Sequence, residues 1–439
     1  MDPDSKPTIA ILPWGNILED YLKQVGLSVE SFCNDGLHGW LLGYLEALRF
    51  AGIKSVLFFF SKNVDKPRRY LHKSTDSKII LLPALKIYRY INSHMINPYG
   101  WTINETFGEV NGYRYYLFSI LKDIAPYLTT PLRYLAREIR RERSSVILCQ
   151  EYEYARFDFC VLLSLFLRMP VFATFQGGNF QMSRLERVIR PFTISACSGL
   201  IVPTKSEQSR LIKSYEIPSA KLSRIFNPID TGTWYAEDKR MARTELMIPI
   251  EAKVVAWHGR IDLHNKGLDI LMQAWKRICF QHANKELRLL LIGTGNDSYK
   301  LQEQINRMNL KGVMWKNEFI VNRDTLRKYL NASDIYVFPS RHEGFPVAPL
   351  EAMACGLPIV AANAGGILDI LEGGESSGGT VVPKEDPISL AAQMSRLLDD
   401  ESLRTELAKK ARHRIESCFS LEVIGRQLRY FLFNKNHTE

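Results

Sequence analysis

Apolar residues fall along the chain in two alternating spacings. Short continuous runs from Thr8 to Pro13, Ser55 to Phe60, Lys78 to Leu82, Val146 to Cys149, Val171 to Phe175 and Leu200 to Pro203 have the length and composition of buried strands. Between them, apolar positions recur every three or four residues. Leu41, Leu42, Leu45 and Leu48 form one such set, stopped by Ala51-Gly52. After Pro131, Leu132, Leu135, Ala136 and Ile139 share one side of a helix, with Arg133, Arg137, Arg140 and Arg141 on the other. A second cycle starts near residue 252. Its strand runs are Lys253 to Trp257, Leu287 to Ile292, Val313 to Trp315, Ile335 to Phe338, Ile359 to Ala362 and Thr380 to Val382. Strands separated by helices predict βαβ units and parallel sheets. The turn-rich stretch from Asn227 to Met247 shows no core strand and reads as a linker. The expected division is a Rossmann-like α/β domain over 1–226, a linker with a second such domain over 227–418, and a C-terminal helix within 419–439 that packs back on the first domain. Two lobes of this kind predict a ligand in the cleft between them.

Composition narrows the class. With 439 residues, 46% hydrophobic and 24% charged, the chain can bury two sizeable cores, which excludes a disordered or fibrous protein. The longest apolar run, Phe159 to Leu167, is about half of the ~20 residues a spanning helix needs. The start, Met1 to Lys6, is acidic and polar, unlike a signal peptide, and the seven cysteines are dispersed with no C-x-x-C pair. These features predict reduced thiols, no zinc site and a cytoplasmic protein. The net charge of +10 is uneven: residues 1–220 carry 27 Lys/Arg against 20 Asp/Glu. Residues 61–90 alone hold Lys62, Lys66, Arg68, Arg69, Lys73, Lys78, Lys86 and Arg89 against Asp65 and Asp76. That patch and the Arg133/Arg137/Arg140/Arg141 face, with Tyr88, Tyr90, Tyr113, Tyr115 and Tyr116 nearby, suit either an ordinary solvated surface or peripheral attachment to an anionic membrane's inner face. No nucleic-acid-reading motif accompanies the charge.

The chemistry-bearing stretch runs from Ser340 to Pro358. It follows a strand and leads into a helix, where free N–H groups suit phosphate or sugar oxygens. Glu343 and Glu351 are eight residues apart and could reach different hydroxyls of one extended ligand; the plainer reading is a helix-start acid plus a surface glutamate. Arg260, in His258-Gly259-Arg260, and Lys266, in Lys266-Gly267, could converge on a diphosphate as fork and point charge. Gly293-Thr294-Gly295 follows another strand, but Ser298 stands where a dinucleotide fingerprint needs its third glycine. Glu151 and Glu153 end a strand of the first lobe, as acceptor contacts or plain surface acids.

Glu343-Gly344-Phe345-Pro346 followed by Leu350-Glu351-Ala352-Met353-Ala354-Cys355-Gly356-Leu357-Pro358 resembles the E-x7-E signature of retaining GT-B glycosyltransferases, the group-1 family that includes bacterial glycogen synthases and sucrose synthases. The resemblance is close over 250–418 and extends to the first lobe only in the order of elements. It implies the GT-B fold. Glu343 would contact the donor hexose, Glu351 the ribose, and the backbone of Gly344, Phe345, Pro346 and Val347 the sugar and diphosphate. Arg260 and Lys266 would stabilise the leaving diphosphate. Gly293 and Gly295 would lie near the nucleotide, and Lys316 and Asn317 would meet the base through backbone groups. Gly36 would belong to a loop closing the donor site. His38, Gln176 and Glu151 would face the sugar or acceptor. Two departures matter. Pro346 stands where many members have glycine and removes one N–H. Gln176 stands where many have histidine and cannot act as a base. No D-x-D strand end is present, so no obligatory metal or other cofactor is expected beside a UDP- or GDP-sugar co-substrate. The implied activity is retaining hexosyl transfer to a lipid-linked, glycolipid or saccharide acceptor. The alternatives are a GT-B nucleotide-sugar epimerase and transfer to a soluble small molecule.

Overall fold

The computed structural model describes residues 6–15, 17–25, 28–35, 39–100, 102–177 and 183–434. The chain forms two compact units, Met1–Ile225 with Gly425–Glu439, and Phe226–Ile424.

The first unit is built on eight strands: β1 (Thr8–Leu12), β2 (Lys54–Ser61), β3 (Arg68–His72), β4 (Ser77–Pro83), β5 (Val146–Gln150), β6 (Val171–Thr174), β7 (Gly199–Ile201) and β8 (Leu222–Ser223). Their order is β3-β4-β2-β1-β5-β6-β7-β8, parallel except where β3 runs antiparallel to β4. The central strands are buried on both faces, which is why their sequences are unbroken apolar runs such as Val56 to Phe60. Strand β3 (Arg-Arg-Tyr-Leu-His) is a mostly exposed edge whose charges blunt further pairing, so it has no apolar run to announce it. Residues 86–130, irregular in hydrophobic pattern, hold the helices Lys86–Ser93, Ile103–Phe107 and Tyr113–Ile124 and a 3₁₀ turn, Ala125–Thr129. The C-terminal residues belong to this unit: Gly425 lies against the Ala47 carbonyl, where a Cβ would come within 2.5 Å, and the Phe431 ring packs on Phe172 at 5.3 Å.

Four of the eight cations in the basic patch expected over residues 62–89 meet acids. Lys62 pairs with Asp20 at 2.6 Å, Lys78 with Glu142 at 2.7 Å and Arg89 with Asp65 at 3.0 Å, while Arg69 pairs with Glu138. Tyr88 is buried. Three of these acids, Asp20, Glu138 and Glu142, lie outside the patch in sequence, so local sequence hides their pairing.

The second unit has six parallel strands, β9 (Lys253–His258), β10 (Leu287–Ile292), β11 (Val313–Lys316), β12 (Ile335–Phe338), β13 (Ile359–Ala362) and β14 (Gly379–Val382), in the order β11-β10-β9-β12-β13-β14. The stretch read as a linker contains one short helix, Lys239–Glu245, started by Asp238 accepting from the Met241 N–H. In both sheets the order reverses beside the first strand, between β1 and β5 and between β9 and β12. Open doubly wound sheets leave a crevice at that point, beyond the carboxyl ends of the strands.

Candidate active site

The second unit's crevice is formed by the segments leaving β9 and β12. The β9 side continues as Gly259-Arg260 and a turn over 262–267 that precedes the helix Leu268–Gln281. Asp262 organises the turn: its side chain accepts from Asn265 N and its carbonyl from Lys266 N, both at 3.0 Å. Gly267 closes it at φ +62°, and a Cβ there would lie 2.0 Å from the Pro339 carbonyl oxygen, so the two segments touch backbone to backbone. Across this contact Lys266 Nζ lies 2.6 Å from Glu343 Oε1. Arg341, nearly buried, pins the arrangement. Its fork donates to Asp269 at 2.7 and 2.8 Å, and further bonds reach the His264 carbonyl at 2.7 Å and Glu385 at 2.9 Å. The Glu343 segment is backed on its other side by Gly365-Gly366. A Cβ on Gly365 would fall 1.9 Å from the Glu343 carbonyl oxygen, and Gly366 N donates to the Gly344 carbonyl at 2.8 Å.

Glu351 sits in the short helix Ala348–Ala354 and meets a partner that the sequence reading passed over. Its Oε2 lies 2.8 Å from His258 Nε2 at the end of β9. The His258 ring packs edge-on to Tyr336 at 5.4 Å, and the Tyr336 hydroxyl donates to the His258 carbonyl at 3.3 Å. Burial pushes the Tyr336 phenol well above its ordinary range, opposed by its backbone bond to His258 and reinforced by the charges of both Glu351 and Glu343. The charges of both glutamates therefore bear on one buried hydroxyl. His258 Nδ1 is buried with no partner among the described residues. The signal for His258 was its place as the last residue of a strand beside the reversal, which only the sheet order reveals.

The remaining expected residues differ in what they can do. Arg260 is 74% exposed, and among the described residues the acid in reach of it is Asp262, at 3.8 Å. The Phe345 ring is buried against Phe226 at 5.3 Å, and its carbonyl accepts from Asn227 Nδ2 at 3.2 Å, so a ligand can meet only what is left of its backbone. Pro346 is buried and Gly344 and Val347 are half-buried. Gly293 and Gly295 are glycines for packing: a Cβ would lie 1.9 Å from the Gly259 carbonyl oxygen and 2.1 Å from that of Ile261. The Lys316 carbonyl already accepts from Gly293 N at 3.0 Å and Glu318 N at 2.9 Å, and the Asn317 side chain accepts from Ser298 at 3.3 Å.

In the first unit the corresponding reversal holds a cavity of ≈120 Å³, walled by Trp14, Tyr21, Trp40, Phe59, Phe60 and Gln150 among others. Arg156, beneath it, donates to the Pro13 and Gly15 carbonyls and so fixes the segment leaving β1. Glu151 follows β5 in a left-handed conformation, φ +61°, uncommon for a residue with a side chain. Its Oε1 accepts from Gln176 N at 2.7 Å and its Oε2 is buried with no partner among the described residues. Burial pushes this carboxyl up to about 8, against the pull of the Gln176 N–H and with help from Glu153 and Glu207. Glu153 is also buried and pairs with Arg210 at 2.6 Å. The structure therefore brings Gln176 and Glu151 together, and neither glutamate is a surface acid. Gly36 and His38 lie outside the described residues.

Comparison with known proteins agrees with this architecture. Residues 252–400 match the family described as Glycosyl transferases group 1, and residues 103–233 match Glycosyltransferase Family 4. An uncharacterized glycosyltransferase of Methanocaldococcus jannaschii is 29% identical over 243 residues, covering 54% of this chain and 59% of that protein. A D-inositol 3-phosphate glycosyltransferase of Kineococcus radiotolerans is 30% identical over 237 residues, 51% of this chain and 54% of its own. The chain thus spans somewhat over half the length of the curated relatives it matches. Among solved structures, sucrose-phosphate synthase from Thermosynechococcus elongatus has a TM-score of 0.67 at 19% identity over 96% of this chain and 97% of that one. HepE of Anabaena has a TM-score of 0.68 at 16% identity over 96% and 98%. Two Rossmann-like units with this strand order are the GT-B fold, and within it residues 252–400 are similar to the group-1 glycosyltransferases.

Proposed function

We propose that the chain is a retaining glycosyltransferase that moves a hexose from a UDP- or GDP-sugar to a lipid-linked, glycolipid or saccharide acceptor at the cytoplasmic face of a membrane. The observation that supports this most is the Lys266–Glu343 pair, 2.6 Å apart at the β9/β12 reversal with Glu351 and His258 beside it. The HepE structures that resemble this chain hold UDP, UDP with glucose, or UDP-glucose. A diphosphate entering here would take Lys266 from Glu343, and the exposed Arg260 can swing to the same anion. Both cations oppose the charge that develops as the nucleoside diphosphate departs, so no obligatory metal is proposed. Glu343, released from the lysine, accepts from donor-sugar hydroxyls. Glu351 turns the oxygen not held by His258 toward the ribose. For a group-1 enzyme the family likeness suggests front-face attack, in which the departing phosphate oxygen takes the acceptor's proton. No protein base is then needed, and glutamine at position 176 is no obstacle. Glu151, protonated near neutral pH, would offer a hydrogen bond to an acceptor oxygen. Calorimetry of UDP and GDP with EDTA present tests the donor site. One nucleotide should bind wild type and weaken about tenfold or more with Lys266→Met; failure of both to bind wild type would overturn the proposal.

A further inference from the structure

Between residues 113 and 196 the first unit carries four helices, Tyr113–Ile124, Leu132–Arg141, Ala155–Leu167 and Arg184–Ala196. The last three lie on the connections into β5, β6 and β7. The sheet is traversed in one direction there, so right-handed crossovers set them on one face. Each packs on the next, and Tyr113–Ile124 lies against Arg184–Ala196. Their inner sides, with Leu135, Ile139, Phe157, Val161 and Ile194, are ordinary core. Their outer sides are not ordinary surface. Leu162, Leu165 and Phe166 project outward from one helix and Val188 and Phe192 from its neighbour, with Phe166 71% and Phe192 73% exposed. The Tyr113–Ile124 helix (YRYYLFSILKDI) has no buried residue despite its apolar composition. Nearly half of the large exposed apolar side chains among the described residues belong to this stretch. Isolated exposed apolar residues need no explanation, but a contiguous set does.

Charge says what covers it. In residues 113–196 every exposed charged residue is an arginine: Arg114, Arg133, Arg137, Arg140, Arg141, Arg143, Arg168, Arg184 and Arg187. The acids of the same stretch are buried or half-buried. Among the described residues only Arg137 of these arginines has an acid in reach, Glu138 at 3.6 Å. The Arg140 guanidinium lies 5.6 Å from the centre of the Phe166 ring, so charge and apolar surface interleave. We propose that this arginine-rimmed apolar face seats the first unit on an anionic bilayer. The Tyr113–Ile124 aromatics, Leu165, Phe166, Val188 and Phe192 enter the boundary between headgroups and acyl chains, and the arginines meet lipid phosphates. A second copy of the chain is the poorer occupant. Two-fold pairing would set arginines against arginines, with no exposed acid in the layer to answer them. The inference deepens the lipid-acceptor part of the proposed function, yet binding itself needs neither donor nor acceptor.

The test is co-sedimentation of the full chain with vesicles of phosphatidylcholine alone or mixed equally with phosphatidylglycerol, without any sugar. Wild type should pellet with the anionic vesicles, remain in solution with the neutral ones, and bind at least about tenfold more weakly at ~0.5 M salt. Leu165→Gln/Phe166→Gln/Phe192→Gln should cut binding about tenfold or more while melting like wild type. Arg133→Gln/Arg140→Gln/Arg187→Gln should weaken binding and flatten its salt dependence. The inference is overturned if wild type ignores anionic vesicles, if both variants bind like wild type, or if wild type is a dimer that the apolar variant turns into monomer. Nucleotide calorimetry on the same samples separates the two proposals: vesicle binding without nucleotide binding sinks the transferase alone, and the converse sinks the membrane face alone.

Discussion

Replacing Glu151 by glutamine should make the first unit more stable at neutral and alkaline pH. The wild-type carboxyl is buried, pushed up to about 8, with one oxygen accepting from Gln176 N and the other without a partner. Unfolded, it titrates near the ordinary ~4.3. A folded value above the unfolded one means that this group's stability contribution is complete below the unfolded value and is lost as pH rises through the folded one. The loss amounts to about 1.4 kcal/mol per pH unit inside that window, or on the order of 3 kcal/mol between about pH 5 and 7.5. Glutamine keeps the acceptor for Gln176 N and never ionises. The variant should therefore match wild type near pH 5 and exceed it increasingly up to about pH 8, by roughly 2–4 °C in melting temperature per kcal/mol for a unit of this size. Amide exchange in β1 and β5 would confirm that the first unit is the one affected. Glu186 and Glu207 also titrate high through burial, but they are common to both proteins and cancel in the difference. A variant-minus-wild-type difference that stays flat across the window would refute the reasoning.

The remaining predictions concern the second unit. Gly365→Ala puts a Cβ 1.9 Å from the Glu343 carbonyl at φ +48°, so it should destabilise the unit by at least about 2–3 kcal/mol in denaturant melts and reduce turnover with it. Arg341→Leu leaves Asp269 without its fork. A loss of about 1–3 kcal/mol is expected because Asp269 is partly solvated, with a fall in kcat that Arg341→Lys should not fully restore, since lysine cannot reproduce two parallel bonds. His258→Phe keeps the ring contact with Tyr336 but frees Glu351. It should raise KM for the donor about tenfold with a smaller change in kcat, measured by initial rates over a donor series.

Much of the fold was legible because buried parallel strands leave unbroken apolar runs. Leu287–Ile292, Ile335–Phe338 and Ile359–Ala362 occupy the very bounds the pattern assigned. Strand β3 was not legible, since an exposed edge gains nothing from an apolar run. The Tyr113–Ile124 helix escaped for a related reason: Phe118 and Leu121 lean on the protein but no residue of the helix is fully buried, so its apolar residues follow no simple stripe. At the site, motif spacing singled out Glu343, Glu351 and Lys266, but their partners are set by three-dimensional contact. His258 meets Glu351, and Gly365 backs Glu343, only because β9, β12 and β13 lie side by side. Glu151 shows the opposite limit: sequence marks a strand-end acid, while its burial and high proton affinity come from packing alone.

The most direct test of the transferase reading is nucleotide release from a panel of UDP-, GDP- and ADP-sugars in EDTA, with and without glycolipid in anionic vesicles. Wild type would be run beside Glu343→Ala and Lys266→Ala. Release from a single UDP- or GDP-sugar, unaffected by EDTA and abolished by either substitution, is the predicted result. Release that needs a divalent metal, or that persists in both variants, would contradict it.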